Sequence, residues 1–330
     1  MDYHKPLHIL HASQFDRDFL DYIFRLTDEI RKYDKSKEGL LYLQGLLAHK
    51  RGMLYFTQPS TRTFLSFQSA LDVVGMRSSD IRDSSISSER KGESIEDSLR
   101  TFSSYVDIII MRTPVAGLCD RIAEYLDSTP RPVPIINAGS GPDEHPTQAL
   151  LDLYTIRRGL KHRGGIDHKT ITMVGDLKRG RTVRSLSALL MNYEGINIRF
   201  VSPPEFQIND DLRQRLYKSR IRFEETDRLE EAIDGADAIY VTRVQDEYDV
   251  AGESKKVDYS KYYVKESHLR IMKPDTLIMH PFPRRKELDV AIDSDPRAKY
   301  WRQERNGMWT RVALITKIFN VDKKILLPEL

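Results

Sequence analysis

The sequence predicts an α/β protein with two doubly wound parallel-sheet domains, and two observations support this prediction. Short runs of β-branched, almost fully apolar residues recur along the chain, as in strands that are buried on both faces of a parallel sheet. Helical stretches with apolar residues three and four apart separate these runs, which is typical of successive β-α-β units. A length of 330 residues is enough for about two such domains.

The composition is that of an ordinary globular protein and excludes several other classes. Hydrophobic residues make up 40% of the chain and charged residues 31%, and a formal charge of +3 gives no reason to expect nucleic acid or an anionic membrane as a partner. No apolar run is long enough to span a bilayer, and the first residues lack a signal-peptide apolar region. The only cysteine, Cys119, excludes an intrachain disulfide and is typical of a reducing compartment, so we expect a cytoplasmic protein.

The elements of the first domain follow in order from the amino terminus. Ser13 is predicted to cap a helix, with Asp16 three residues on and one apolar face after it. Strands are then predicted at 53–56, 106–111 and 133–138, and a helix at 65–74 follows the first of them. A long helix from about residue 147 to 160 leads out of this domain, for which we predict the limits 1–148.

A second β-α-β series starts after a basic, glycine-containing stretch. Its strands are predicted at 170–174, 197–202, 238–242 and 276–279, and its helices at 183–192, 210–218 and 227–233. We predict the limits 149–298 for this second domain. An apolar helix at 312–319 belongs to a C-terminal segment, residues 299–330, that is expected to pack back toward the first domain.

The first predicted strand leads into Ser60-Thr61-Arg62-Thr63, at the start of the following helix. Backbone N–H groups lack partners at a helix N-terminus, and the helix dipole favours anions there. A lone serine or threonine at this place would be no more than a helix cap. The arginine and the second threonine favour a phosphate site instead.

Arginines also follow other predicted strands, at the edge where ligands of doubly wound folds bind. Because the guanidinium fork matches phosphate and carboxylate groups, small polyanions are the expected ligands, and we expect them in the cleft between the two domains. Each arginine alone is compatible with a structural ion pair, whereas four at the same kind of edge indicate a site. The four are Arg62, Arg112, Arg181 and Arg243.

Two nucleotide-binding patterns are incomplete in this chain. Residues 175–182 read G-x-x-x-x-G-R-T, which differs from a P-loop by an arginine in place of the lysine. Arginine does not reproduce the compact charge of that lysine, and no acidic strand end for magnesium accompanies it. The stretch Gly139-Ser140-Gly141 lacks the third glycine of a dinucleotide-binding loop. An NTPase or kinase therefore stays a minor alternative.

Seven segments, in this order and spacing, resemble the aspartate/ornithine carbamoyltransferase family in its aspartate form. The likeness extends over nearly the whole chain, from about residue 50 to 315. The seven segments are 60–63, 91–93, 111–114, 145–148, 175–182, 242–245 and 280–284.

This resemblance implies that a carbamoyl group passes from carbamoyl phosphate to the amino group of L-aspartate, with no cofactor and no metal. The residues expected to hold the phosphate are Ser60, Thr61, Arg62, Thr63 and Arg112. The carbamoyl oxygen is expected to contact Thr63, Arg112 and His145, and the carbamoyl amide Gln148 and the backbone carbonyls of Pro281 and Phe282. The aspartate carboxylates are expected to contact Arg181, Thr182, Arg243 and Gln245.

The family also brings a serine and a lysine to the phosphate of a neighbouring subunit. Ser87 and Lys91 match those positions, although a segment so rich in serine and charge is otherwise typical of a surface loop. A homotrimer with shared active sites would then be the smallest active form, and Lys91 would join the catalytic set. The sequence leaves open whether regulatory chains associate.

Two positions depart from the usual pattern of the family. Gln58 stands where an acidic or lysine residue is usual, and Tyr248 stands where aspartate-type members have an arginine. The segment 248–262 is also longer and richer in lysine than usual. Either domain closure uses other contacts, or the acceptor is a different amino acid. The ornithine form is disfavoured, because its acceptor loop and late cysteine are absent and two arginines suit a dicarboxylate.

Overall fold

The computed structural model of the chain describes residues 6–82, 92–141, 144–245, 249 and 257–326. The chain divides into two compact units, Met1–Leu150 with Gly307–Leu330, and Leu151–Asn306. Each unit contains one sheet in which every paired strand is parallel. The predicted α/β class with two parallel sheets is therefore confirmed.

The first unit is built on a four-stranded sheet in the order β2-β1-β3-β4. Its strands are β1 (Arg51–Phe56), β2 (Arg77–Ile81), β3 (Ile108–Thr113) and β4 (Ile135–Ser140). The helices of this unit are α1 (Arg17–Tyr33), α2 (Lys37–Leu46), α3 (Thr61–Val73), α4 (Ile95–Ser103), α5 (Leu118–Asp127) and, near the C-terminus, α11 (Lys323–Leu326).

The second unit is built on a five-stranded sheet in the order β7-β6-β5-β8-β9. Its strands are β5 (Thr170–Val174), β6 (Asn197–Val201), β7 (Arg222–Thr226), β8 (Ala238–Val241) and β9 (Leu277–Met279). Its helices are α7 (Arg181–Leu190), α8 (Asp210–Lys218) and α9 (Leu229–Ile233). Two longer helices, α6 (Pro146–Gly159) and α10 (Tyr300–Ile318), contribute residues to both units.

In the first sheet, β3 and β4 are buried along their whole length, although β4 stands at the end of the strand order. The two strands that the sequence did not predict, β2 and β7, lie at sheet edges and consist of exposed and half-buried residues. Because an edge strand needs only one protected face, its sequence need not be apolar. The apolar pattern therefore missed β2 and β7, whereas it found the other two end strands, β4 and β9, which are buried.

The predicted cap of the first helix is wrong. Asp16, rather than Ser13, caps α1, and its carboxylate accepts a hydrogen bond of 2.8 Å from the backbone N–H of Phe19. Ser13 lies in a short 3-10 turn, Ala12–Gln14, that precedes the helix. Both residues are good caps; the 3-10 turn moves the start of the helix three residues along the chain.

Each sheet has one place where the strand order changes direction. In the first sheet the chain runs from β1 outward to β2 and later resumes at β3 on the other side of β1. In the second sheet the same change occurs between β5 and β8. Ligands of open parallel sheets bind outside the carboxyl ends of the strands at such a switch point. Across the part of the chain that is described, no helix has the length and apolar character needed to cross a membrane.

Candidate active site

The segment of residues 60–63 lies where its sequence predicted, directly after β1 and at the start of α3. Ser60 is the N-cap residue of this helix, with extended backbone angles (φ −165°, ψ 101°), yet its side chain makes no capping hydrogen bond. Thr61 and Arg62 are exposed, and Thr63 is buried. The first N–H groups of α3 and the hydroxyl of Ser60 are therefore placed to meet an anion.

Arg112 holds the loop before α3 in place. Its backbone carbonyl accepts hydrogen bonds from the N–H groups of Thr57 (2.9 Å) and Gln58 (3.3 Å). Its buried side chain donates from one terminal nitrogen to the carbonyl of Ala138 at 3.0 Å. Since β1 and β3 are neighbours with Phe56 opposite Arg112, the switch point of the first sheet brings Arg112 to the loop that carries Arg62.

His145 and Gln148 follow β4 at the same carboxyl edge of the first sheet. The chain turns back after β4 through an antiparallel bridge between Ser140 and Glu144. Both site residues are buried, and the carbonyl of His145 accepts the N–H of Gln148 in the first turn of α6. The sequence-predicted residues of the first unit thus share one edge of one sheet.

In the second unit, Arg181 and Thr182 are the first two residues of α7, which follows β5. Gly180 caps this helix without a side chain, so its first N–H groups face outward. The hydroxyl of Thr182 hydrogen bonds to the hydroxyl of Tyr240. Its backbone N–H lies in the first turn of α7, where no carbonyl within the helix can accept it, and a helix start of this kind favours an anion.

The loops after β5 and β8 are joined by the buried carboxylate of Asp176. This carboxylate accepts the backbone N–H groups of Gln245 at 3.2 Å and of Arg179 at 3.1 Å. Burial raises the pKa of Asp176, and these hydrogen bonds oppose part of that shift. Arg243 lies in the second of the two loops, and its guanidinium donates to the carbonyl of Val244 at 2.8 Å. The second switch point therefore brings Gln245 and Arg243 beside the loop of Arg181.

Pro281 and Phe282 come directly after β9, and a buried histidine orders their backbone. The N–H of Phe282 donates to Nδ1 of His280 at 2.8 Å, and Nε2 of His280 lies 2.8 Å from a carboxylate oxygen of Glu287. Burial lowers the pKa of His280, which keeps the imidazole neutral with its proton on the nitrogen that faces Glu287. Nδ1 is thereby left as an acceptor for Phe282.

A cavity of about 300 Å³ lies at this edge of the second sheet. Residues from the loops after β5, β8 and β9 line it, among them Gly175, Thr242 and Glu287. Its size suits a small metabolite. Its described lining includes none of the predicted contact residues of these loops, which are Arg181, Thr182, Arg243, Gln245, Pro281 and Phe282.

The structure brings the predicted site residues to the carboxyl edges of the two sheets, apart from those that it does not describe. Ser87 and Lys91 lie outside the described residues, as does Tyr248. Sequence reasoning assigned no role to Asp176, which joins the acceptor loops, nor to His280, which orders Phe282. The signal was present in both cases, because each is a polar residue placed directly after an apolar strand.

Two parallel sheets with arginine-bearing loops at their switch points define an anion-binding α/β protein of two domains. Two family models match the chain and together span most of it. They are the carbamoyl-P binding domain of aspartate/ornithine carbamoyltransferase at residues 7–158 and the Asp/Orn binding domain of the same family at residues 167–318. The chain therefore belongs to the aspartate/ornithine carbamoyltransferase family.

Curated relatives named as aspartate carbamoyltransferases match most of this chain. The chloroplastic aspartate carbamoyltransferase of Arabidopsis thaliana is 39% identical over 311 residues, which cover 93% of this chain and 76% of the relative. The aspartate carbamoyltransferase catalytic subunit of Clostridium novyi is 37% identical over 318 residues, which cover 95% of this chain and 98% of the relative.

Solved structures of aspartate transcarbamoylases also match this chain. The aspartate transcarbamoylase of Trypanosoma cruzi in complex with carbamoyl aspartate and phosphate matches with a TM-score of 0.83 and 32% identity, over 94% of this chain and 95% of that one. The catalytic subunit of M. jannaschii aspartate transcarbamoylase matches with a TM-score of 0.80 and 37% identity, over 95% of this chain and 98% of that one.

Proposed function

We propose that this chain transfers the carbamoyl group of carbamoyl phosphate to the amino group of L-aspartate, giving N-carbamoyl-L-aspartate and phosphate. The observation that carries the proposal is the placement of arginines at both switch points. Arg62 and Arg112 belong to the first sheet, and Arg181 and Arg243 to the second. The substrates carry a phosphate and two carboxylates, which are the groups that such arginines recognise.

The first unit supplies the contacts for carbamoyl phosphate in this proposal. The start of α3, with Ser60, Thr61, Arg62 and Thr63, and the guanidinium of Arg112 bind the phosphate. Thr63, Arg112 and His145 donate to the carbamoyl oxygen, on which negative charge develops as the amine attacks. Gln148 and the backbone carbonyls of Pro281 and Phe282 fix the carbamoyl amide.

The second unit supplies the contacts for L-aspartate. Arg181 and Arg243 each bind a carboxylate, Gln245 adds an amide contact, and Thr182 contributes its backbone N–H at the start of α7. This division assigns residues 1–148 to carbamoyl phosphate, residues 149–298 to the acceptor and residues 299–330 to the C-terminal helix.

The reaction needs no covalent intermediate with the enzyme. The aspartate amine attacks the carbamoyl carbon, the bond from that carbon to the phosphate oxygen breaks, and the departing phosphate accepts the proton of the amine. The protein therefore acts by positioning the substrates and by stabilising the oxyanion, which agrees with a site rich in fixed donors. No metal or cofactor enters this scheme.

For the assembly we propose a homotrimer in which Ser87 and Lys91 of one chain complete the site of its neighbour. Mixing an Arg62→Ala variant with a Lys91→Ala variant tests this, because a mixed trimer contains one site that lacks neither residue. Partial recovery of activity on mixing supports shared sites, and its absence from a confirmed mixed trimer contradicts them. We further infer a cytoplasmic location, since the single cysteine suits a reducing compartment.

The experiment that tests the reaction is phosphate release from carbamoyl phosphate with a panel of acceptors: L-aspartate, L-glutamate, L-ornithine, N-acetyl-ornithine and putrescine. We expect release with L-aspartate alone, together with formation of N-carbamoyl-L-aspartate. Turnover with another amine and no turnover with L-aspartate would show that the chain carries out the same carbamoyl transfer on a different acceptor. Gln58 and Tyr248 would then belong to the pocket for that acceptor.

A further inference from the structure

A buried carboxylate lies among the apolar side chains of α6 and takes no part in the reaction as proposed. Asp152 has none of its surface exposed and is surrounded in sequence by Leu150, Leu151, Leu153 and Tyr154, which are also buried. A buried carboxylate is costly unless hydrogen bonds satisfy it. Asp152 is therefore expected to accept hydrogen bonds from specific buried partners.

Asp152 accepts hydrogen bonds on both of its oxygens. The hydroxyl of Tyr240 donates to one oxygen at 2.7 Å, and the side-chain amide of Gln303 donates to the other at 2.6 Å. Burial raises the pKa of Tyr240 well above its ordinary value, and the neighbouring Asp152 raises it further, so the phenol stays protonated and donates. All three residues belong to the second unit.

From each of the two hydrogen-bond partners of Asp152, further hydrogen bonds lead to a residue of the proposed site. On one side, the Tyr240 hydroxyl meets the hydroxyl of Thr182 at the start of α7. On the other side, the amide oxygen of Gln303 accepts the backbone N–H of His280 at 3.0 Å, and His280 in turn accepts the N–H of Phe282 at 2.8 Å. A continuous set of hydrogen bonds thus joins the acceptor helix to the segment of Pro281 and Phe282.

We propose that Asp152 is a positioning residue that fixes these two parts of the site relative to each other. This inference rests on the proposed function, because it takes Thr182 as an aspartate contact and Phe282 as a carbamoyl contact. Through its hydrogen bond to Tyr240, Asp152 fixes the first N–H groups of α7. Through Gln303 and His280, it fixes the backbone carbonyls of the residues that follow β9. A shift of about 1 Å in either element is enough to lower a rate about 100-fold.

An asparagine in place of Asp152 has nearly the same volume, but it cannot accept both of these hydrogen bonds. Its amide nitrogen must face either Tyr240 or Gln303, and both of these now donate. Facing Gln303, it forces that amide to turn, and the Gln303 nitrogen then meets the N–H of His280, another donor. Facing Tyr240, it forces the phenol to turn its proton toward Thr182. In either orientation, the hydrogen bonds on one side of Asp152, toward Thr182 or toward His280, are disturbed.

The chain offers a matched control at a distance from the site. In the first unit, Asp322 is also a buried carboxylate on which a tyrosine hydroxyl, that of Tyr22, donates. Asp322→Asn and Tyr22→Phe therefore remove the same kind of bond as Asp152→Asn and Tyr240→Phe. A loss that comes only from breaking a tyrosine–aspartate hydrogen bond would appear in both sets, although Tyr22 is half-buried and Asp322 also pairs with Lys317 at 3.3 Å.

The experiment compares the four variants with the wild-type chain in aspartate-dependent phosphate release and in binding of inorganic phosphate. We expect Asp152→Asn to lower kcat by about 10- to 100-fold and to raise the KM for L-aspartate several-fold. Tyr240→Phe shows a smaller effect of the same kind, and it carries the test if Asp152→Asn does not fold. Inorganic phosphate binds as to the wild type, because its contacts lie in the first unit. The control variants keep both kinetic constants.

A second readout does not depend on the reaction. The ring of Trp301, which is 55% exposed, packs against Phe282 with 5.0 Å between centroids. Displacement of Phe282 in Asp152→Asn therefore changes the quenching of Trp301 fluorescence by acrylamide, whereas Asp322→Asn leaves it unchanged. Wild-type kinetics in both Asp152→Asn and Tyr240→Phe overturn the inference. A wild-type chain without turnover overturns the proposed function instead, and the fluorescence then decides the positioning role.

Discussion

The carboxylate of Asp176 accepts the backbone N–H of Gln245 at 3.2 Å, across the switch point of the second sheet. Asp176 follows β5 and Gln245 follows β8, so this one bond joins two loops that are far apart in sequence. The same carboxylate also accepts the N–H of Arg179 at 3.1 Å. Arg181 begins α7 at the end of the first loop, and Arg243 lies in the second loop. The spacing of the loops decides whether both arginines reach one dicarboxylate.

Replacing Asp176 by alanine removes the link between these loops. We expect the kcat/KM for L-aspartate to fall about 100-fold or more, because the arginines are no longer held at the spacing of the two carboxylates. Asp211→Ala is the control, since Asp211 is an exposed carboxylate that pairs with Arg184 at 3.6 Å. Steady-state kinetics at varied L-aspartate checks the prediction, and equal values for the two variants would contradict it.

Replacing Gly175 by alanine tests the packing of the same switch point. Gly175 has φ +122°, and an added Cβ would lie 2.1 Å from the carbonyl oxygen of Thr242. We expect a loss of about 3–5 kcal/mol in the free energy of unfolding, since both the backbone angle and the contact oppose a side chain. Gly235→Ala is the control, because Gly235 has φ +68° with open space around it. That change costs about 1–2 kcal/mol for the backbone angle alone.

Urea unfolding of the two glycine variants measures this difference. A stability of Gly175→Ala equal to that of Gly235→Ala would show that the loops after β5 and β8 separate without cost. The loops would then be too compliant to fix a spacing between Arg181 and Arg243, and the prediction for Asp176 would lose its basis as well.

The sequence was a good guide to the inner strands and to the loops that follow them. The run predicted at 170–174 is β5 with the same bounds, and the segment 60–63 lies at a helix start as predicted. Local patterns were sufficient there, because a strand buried on both faces must be apolar and a helix start needs partners for its N–H groups. Edge strands such as β2 are not subject to the first requirement.

Long-range hydrogen bonds could not be predicted in the same way. Asp152 and Tyr240 are 88 positions apart, and Asp152 and Gln303 are 151 positions apart. No local pattern relates such residues, since only the tertiary fold brings them together. The sequence showed a carboxylate within an apolar helix, which indicates a buried polar contact but not its partner.

Replacing Arg62 by alanine tests the phosphate contact separately from the fold. The side chain of Arg62 is exposed, so its removal is expected to change the unfolding midpoint little. Loss of one charge-assisted contact to the transferring group costs about 2–4 kcal/mol, so we expect kcat/KM to fall by a factor of about 30 to 1,000. Arg17→Ala, which removes a half-buried arginine paired with Asp21 at 2.9 Å, serves as the control. Wild-type rates in Arg62→Ala would refute the phosphate assignment.

The titration of His280 predicts how stability depends on pH. Burial lowers the pKa of His280, and the nearby Arg284 and Arg243 lower it further, although the bond to Glu287 opposes the shift. The unfolded chain therefore takes up a proton at this histidine near its ordinary pKa of about 6.5, whereas the folded chain does so only at lower pH. Because the unfolded state binds more protons in this window, the free energy of unfolding falls as the pH falls below about 6.5.

The variant His280→Asn isolates this contribution. Asparagine has no proton to take up in this range, while its carbonyl can still accept the N–H of Phe282. We expect the wild type to lose up to about 1.4 kcal/mol more per pH unit than the variant below pH 6.5, measured by urea unfolding between pH 7.5 and 5.5. The pKa of Glu287 lies below its ordinary value, so this carboxylate stays ionised throughout the window. His49→Asn, at an exposed position, should follow the wild type. Parallel pH curves for His280→Asn and the wild type would show that His280 takes up its proton equally in both states, and the hydrogen bond from Phe282 to its Nδ1 could not then persist at low pH.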